Sequence, residues 1–372
     1  MKNQPYCDPE KGENYFCLLK CAGIMDNSSY FSNQKNREAI VYSLNTLPSL
    51  FPSYLRPLAP LIYSNLSEHN LIDKIQPEVK ALLRQLSMSL IAVDILNQQW
   101  LTKTFSLLNK HAISVVLLKG TAFSRNLYPV HAPRIGVDLD LLVTGDTFET
   151  ACELIGNIMQ AVVQSNERIA THDTLFERVF QPKQGGMPTV EIHRGLTNPH
   201  IFSIDEQNLW AGSRKHPAYN SDLIRILSPE DTLLHLAVHA FRDLNFCNHN
   251  LLDTHEIWCQ WKPDPDSLLE RAKRWGAKQV LYYLLENSRI VMNTPIPETL
   301  LTSLQPKRLN NAINKKILEI VTQDYQLNNN FCYRITQLIS QLSFPDSLSG
   351  SLKYQAHYMQ TRMKDWFLSV KE

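Results

Sequence analysis

The segment "VLLKGTAFSRNLYPVHAPRIGVDLDLLV" carries two acids, Asp138 and Asp140, inside an apolar run that otherwise reads as a core strand. An unpaired carboxylate is costly to bury, so a chain that folds this way must compensate both. Alternate side chains of a strand share a face, which directs Asp138 and Asp140 one way and Val137, Leu139 and Leu141 into the core. Like charges at that spacing repel. A divalent cation held between them is one remedy; ion pairing with Lys119 and Arg134 is the other.

The neighbouring residues bear on that choice. "AISVVLLK" is too short for a buried helix and is predicted as a central strand. Gly120 ends it, and Thr121 stands at or near the N-cap of a helix through "TAFSRNLY". Free N–H groups at a strand-to-helix junction favour a phosphate. "FERVFQPK" and "PTVEIHRGL" are predicted as two further strands joined by a Gly-Gly turn, after a helix in "DTFETACELIGNIMQAVV". With Val190 and Ile192 facing the core, Glu191 and His193 face the other way. Three carboxylates and a phosphate cradle suit Mg²⁺-assisted chemistry on a nucleotide phosphate. Lys119 is placed to reach a phosphate or to end its strand in solvent. Arg134 is placed to neutralise phosphate charge or to pair with an aspartate. His193 can orient Glu191, contact an acceptor or serve structure alone.

The flanks read as helical. Residues 36–110 hold apolar residues at helical spacing, with Leu82, Leu83, Leu86, Leu90, Ile91 and Leu96 marking one stripe, and prolines in "LPSLFPSYLRPLAP" divide the region. From Ser228 the pattern is helical again, with Ser228 as N-cap, Pro229 in the first turn and Asp231 completing a capping-box-like pattern. His235, His239 and Arg242 recur on one side of that helix, opposite Leu234, Val238 and Phe241, as a polar face or an acceptor-binding one. The fold expected is α/β (α+β), a small mixed sheet with helices behind it. An N-terminal helical segment, 1–110, precedes a core, 111–227, and a C-terminal helical domain, 228–372. The cleft is expected between the acidic face of the sheet and the C-terminal helices.

These residues resemble the polymerase-beta type of nucleotidyltransferase, in which an apolar strand leads through Gly-Ser to an Asp-x-Asp strand and a later single-acid strand. "LLKG", "LYP", "R..VDLDLLV", "EIHRGL", "LSPEDTLLHLAVHAFR" and "ERAKRWG" are more closely similar to a bacterial uncharacterised nucleotidyltransferase family, over residues 80 to 305. The resemblance implies that Gly120 and Thr121 hold the triphosphate, Asp138 and Asp140 bind metal, and Glu191 is the third acid. Thr121 keeps the hydroxyl of the serine found in many members. The implied reaction moves a nucleoside monophosphate, AMP from ATP as the first expectation, to an acceptor hydroxyl of a small molecule, peptide or protein. The alternative is a catalytically silent nucleotide-sensing or partner-binding module on the same fold. In the catalytic reading, Asp140→Asn is expected to relieve repulsion and leave metal-free stability equal or higher.

Composition narrows the partners. Thirty-seven basic residues against thirty-six acidic ones leave a charge of +1, which gives no overall field to draw a polyanion and disfavours nucleic acid as the acceptor. Seven cysteines without a repeated spacing read as reduced thiols, which points to the cytoplasm. No stretch approaches the length of an apolar membrane span, so no membrane partner and no signal-peptide export are expected.

Overall fold

The computed structural model describes residues 9–25, 27–47, 55–136, 138–159, 162–163, 176–182, 188–197, 201–242, 244, 246, 249–323, 338–347, 351–352 and 356. Helices α1 (Pro9–Cys21), α2 (Asn27–Ser32), α3 (Gln34–Asn45) and α4 (Ala59–Glu68) lead into the long α5 (Pro77–Lys110). The central part runs β1 (Val115–Leu117), α6 (Lys119–Phe123), β2 (Asp138–Leu142), α7 (Phe148–Met159), β3 (Val162–Val163), β4 (Glu177–Gln181), β5 (Thr189–His193), α8 (Glu206–Gly212), β6 (Arg214–Lys215) and β7 (Ile224–Ile226). Then follow α9 (Pro229–Arg242), α10 (Asn250–Glu256) with a π-helical turn over Ile257–Trp261, α11 (Pro265–Trp275), α12 (Lys278–Met292), α13 (Glu298–Leu304) and α14 (Arg308–Gln323).

The strands form one mixed sheet in the order β3-β4-β5-β2-β1-β7-β6. β1 lies antiparallel to β2 and parallel to β7, and β2 lies parallel to β5. Leu139, Leu141, Val190 and Ile192 are buried on the back face, where α7 packs on β4 and β5 and Phe180 meets Gly156. Val137 and the Gly-Gly turn at Gly185 and Gly186 lie outside the described residues. The four expected strands are present, β1 shortened to three residues. β3, β6 and β7 are additions, and β7 completes the parallel edge of β1 at Val115↔Ile224.

The helical expectations hold where local chemistry specifies them. Ser228 Oγ accepts from Asp231 N at 3.1 Å and bonds Asp231 Oδ2 at 2.9 Å, closing the cap of α9. Gly276, at φ +70°, ends α11 in the left-handed conformation that a side chain disfavours. The α5 stripe requires correction at its end: Leu96 is exposed, and the buried face passes instead through Asp94, Asn97 and Trp100. Burial of Asp94 is compensated by Arg125, 2.9 Å away, so a polar pair takes positions that hydrophobic periodicity assigns to leucines. Among the described residues no helix is long and apolar enough to cross a membrane, and Cys17, Cys21, Cys152 and Cys259 are free thiols.

Candidate active site

Strand register decides which acids meet. In the parallel β2–β5 pair Asp138 lies opposite Thr189, Asp140 opposite Glu191 and Leu142 opposite His193, while β4 places Glu177 opposite His193. Partners across a ladder share a face. Asp138, Asp140, Glu191, His193 and Glu177 therefore stand together on the front of the sheet, away from the leucines and valines behind. The ligand atoms of Asp140, Glu191 and His193 all lie within 4.8 Å of one another.

The two aspartates are compensated differently. Asp140 is 4% exposed; its Oδ1 lies 2.8 Å from Lys119 Nζ and 3.2 Å from His193 Nε2. Burial opposes its charge, but Lys119 and His193 prevail and hold the carboxyl well below the usual carboxylate range. His193 is raised in turn, because its bonds to Asp140 and Glu191 outweigh its own burial. Asp138 makes no hydrogen bond or ion pair among the described residues; burial, then the charges of Glu191 and Asp140, push its carboxyl up to about 6. Hence the expectation for Asp140→Asn is corrected: repulsion is concentrated on Asp138, while Asp140 already has cationic partners. The ion-pair alternative is realised at Lys119.

The turn after β1 is tighter than the sequence suggests. α6 begins at Lys119, with Leu118 as its N-cap, so Gly120 and Thr121 belong to the first helical turn and Thr121 is not the cap. Lys119 adopts φ +47°, an unfavourable conformation for a residue with a Cβ, and its ammonium still reaches Asp140. A Cβ at Gly120 would stand 2.7 Å from Gly136 Cα and 3.0 Å from Arg134 Nη1, so only glycine permits this approach. Thr121 Oγ1 is buried without a hydrogen-bond partner. Arg134 does not face the front-face aspartates. Its Nη2 lies 2.8 Å from Asp253 Oδ2 on α10, and Tyr128 donates to the other oxygen at 2.7 Å. Arg134 and Asp253 are nearly inaccessible, and a buried guanidinium needs such a partner.

α9 brings its polar side to the same place. His235 is 3% exposed with neither ring nitrogen bonded, and burial, with Lys119 next, holds its pKa well below the usual histidine value. His239 is lowered for the same causes, and Arg242 Nη2 lies 2.9 Å from its Nε2. Arg242 Nη1 also approaches Glu177 Oε2 at 3.6 Å. Lys119, Asp138, Asp140, Glu191, His193, His235, His239 and Arg242 thus interact around one face, Gly120 and Thr121 follow Lys119 in the first turn of α6, and Arg134 pairs with Asp253 instead.

The oxygen-rich donor set and the unpartnered Thr121 hydroxyl fit a divalent cation beside a phosphate. A family model described as uncharacterised nucleotidyltransferase matches residues 56–293, more than half of the chain. The chain belongs to this family. Neither a curated protein nor a solved structure matches it. Membership gives the front-face acids a chemical context, nucleotidyl transfer, without specifying an acceptor.

Two features of this site were not legible beforehand. Glu177 had only its alternation with Arg178 and Phe180 to mark it, a signal that any residue on that face of a strand gives, and Val179 on its own face obscures it. Asp253 lies far along the chain from Arg134, and nothing local in "NLLDTHE" announces their pairing.

Proposed function

We propose that this protein moves a nucleoside monophosphate, AMP from ATP in the first instance, to an acceptor hydroxyl on a small molecule, peptide or protein, with Mg²⁺ as the working cation. The observation that carries this reading is the Asp140↔Glu191 register, with Asp140 bonded to Lys119 at the start of α6, the short helix in which the Thr121 hydroxyl is buried and unbonded. Asp138, Asp140 and Glu191 would hold the cation, since hard carboxylate oxygens suit Mg²⁺. When bound, the cation neutralises phosphate charge and acts as a Lewis acid.

The chain's own residues supply the rest. First-turn N–H groups of α6 have no intrahelical acceptor, so Gly120 and Thr121 would cradle triphosphate oxygens together with the Thr121 hydroxyl. Lys119 would exchange Asp140 for a phosphate oxygen, keeping its charge compensated. Arg134 would act on this cradle from behind, by packing against Gly120 rather than by touching phosphate. The acceptor oxygen then forms a bond to the α-phosphorus as the bond to the β-phosphate oxygen breaks and pyrophosphate leaves. Glu191 would hold a second cation or take the acceptor proton. Neutral, unpartnered His235, with His239 and Arg242, would line the acceptor side. Positioning and charge neutralisation supply most of the rate in such transfers.

One observation favours the silent-module reading: Lys119 and His193 already compensate Asp140 without a metal. Incubation of pure protein with each labelled nucleoside triphosphate and a cell extract separates the two. Label on an acceptor, with pyrophosphate released in Mg²⁺ and not in chelator, supports transfer. Nucleotide binding without pyrophosphate release under every condition supports the silent module.

A further inference from the structure

His193 bridges three carboxylates through its two ring nitrogens. Nδ1 lies 3.4 Å from Glu177 Oε2, whereas Nε2 lies 3.2 Å from Asp140 Oδ1 and 3.5 Å from Glu191 Oε2. Nδ1 and Nε2 point in different directions, so their roles separate. The Nδ1–Glu177 Oε2 contact has ion-pair length without hydrogen-bond geometry, and a carboxylate can only accept from that side. Nε2 is thereby directed between Asp140 and Glu191, where a proton and a metal ion are alternative occupants. A histidine whose second nitrogen donates to a carboxylate is the usual arrangement of a metal ligand and its support. Ligand bonds of about 2.0–2.2 Å set adjacent donors roughly 3 Å and opposite donors about 4 Å apart, so donors spread over up to 4.8 Å need only draw in slightly to share one ion.

We propose that His193 is a direct ligand of the divalent ion through Nε2, that Glu177 positions it, and that this nitrogen biases the site toward a first-row transition ion over Mg²⁺. The proposal rests on the reading that the front-face acids hold a cation. Mg²⁺ favours an all-oxygen shell and retains its waters, whereas Mn²⁺ and the later divalent ions accept imidazole more readily. The site is thus a mixed one, two carboxylates and one nitrogen, with Asp138 beside it as a further oxygen donor. Burial raises the Glu177 carboxyl, and the positive charges of His193 and of Arg242, 3.6 Å away, only partly offset it.

The test uses the full chain with Mn²⁺ as probe, without nucleotide and with ATP. Pulsed electron paramagnetic resonance reports nitrogen bound to Mn²⁺, and titration with Mg²⁺ as competitor gives the ratio of the two affinities. The wild type is expected to show directly bound ¹⁴N. His193→Gln is expected to lose that signal and to reduce the Mn²⁺ over Mg²⁺ preference about tenfold or more. Glu177→Ala is expected to keep the nitrogen signal but weaken Mn²⁺ binding by about 10–100-fold. Mn²⁺ bound without a nitrogen signal in the wild type, or a signal that survives in His193→Gln, overturns this inference and leaves the transfer reading intact. No Mn²⁺ or Mg²⁺ binding with or without ATP overturns both. Because the nitrogen signal is read on the wild type, an ill-folded variant does not decide the matter.

Discussion

Neutralising Asp138 and neutralising Asp140 should shift metal-free stability in opposite directions. Asp138 has no bonded partner, and its carboxyl is pushed from 3.8 to about 6 by burial, Glu191 and Asp140. A carboxyl raised by folding holds its proton more tightly in the folded state. Its contribution therefore favours folding at low pH and is lost as pH rises from 3.8 through about 6. At pH 7.5 the full displacement is worth about 3 kcal/mol, and solvent screening of this half-covered side chain leaves about 1–2 kcal/mol. Asp138→Asn removes that penalty. Asp140 is the reverse case. Its carboxyl is held low by Lys119 and His193, so its stabilisation is present above the ordinary carboxylate pKa and is lost only in strong acid. Asp140→Asn leaves the mostly buried Lys119 ammonium without its bonded counter-charge, the other front-face acids acting on it only at longer range, at a cost of about 2–3 kcal/mol.

The assay is thermal or denaturant unfolding of wild type, Asp138→Asn and Asp140→Asn in chelator, at pH 7.5 and pH 5. Asp138→Asn should unfold a few degrees higher than wild type at pH 7.5, with roughly half of that gain left at pH 5, where the wild-type side chain is largely protonated. Asp140→Asn should unfold lower at both. Nucleotidyl transfer should be lost in both variants with Mg²⁺ present. Equal gains in stability at Asp138 and Asp140 would refute the reasoning, because they would mean that Lys119 does not discriminate between them. A gain at Asp138 that is independent of pH would refute it too, by removing charge as the cause.

Glu191→Gln should keep the wild-type fold by circular dichroism and still bind the triphosphate, yet lower transfer by orders of magnitude; retained turnover would remove Glu191 from the site. Gly120→Ala forces a methyl group against the Gly136 backbone and should cost about 1–3 kcal/mol in denaturant unfolding, with weaker nucleotide binding by calorimetry. Binding as tight as wild type in a folded Gly120→Ala protein would show that this turn does not hold phosphate. Asp253→Ala strands the Arg134 guanidinium in the interior and should cost about 3–5 kcal/mol; a loss below about 1 kcal/mol would mean that water reaches the pair.

Most of the acid constellation was legible because it depends on alternation within strands. Val190, Glu191, Ile192 and His193 divide between faces by their spacing alone, and the parallel register then sets Glu191 beside Asp140. The cap at Ser228 was legible for a similar reason, since it is made by residues within one helical turn. Pairing across the chain was not. β6 and β7 are only two and three residues long and form because β1 offers an open edge, which no local pattern in "SRKHPAYNSDLIRI" reveals. The assignment of Arg134 failed by proximity: it lies four residues before Asp138, but an intervening glycine at Gly136 and the close approach of Gly120 turn its side chain toward α10.

That turning gives the C-terminal helices a part in shaping the turn between β1 and α6. Asp253 holds Arg134, and Arg134 Nη1 stands where a Gly120 side chain would be, so α10 braces the first turn of α6 through one guanidinium. Three residues further along α10, Glu256 accepts from Ile24 N at 2.6 Å and Met25 N at 3.3 Å, and from Gln260 Nε2 at 2.8 Å. Gln260 Nε2 also donates to Leu127 O at 3.2 Å, in the segment between α6 and β2. Burial is the largest influence on both acids and raises each above its ordinary pKa, so these bonds only partly offset desolvation. Apolar residues of similar size would serve stability as well. What the charged pair adds is direction: a guanidinium held by Asp253 Oδ2 and by the Ile135 carbonyl, to which Nη1 donates at 3.1 Å, has one orientation, and the strained φ of Lys119 persists because its surroundings over-determine it. The N-terminal helices, the turn after β1 and the C-terminal helices are thus joined through a single short helix, and the side of α10 that looks structural fixes where the backbone of Lys119, Gly120 and Thr121 stands relative to the acids of β2 and β5.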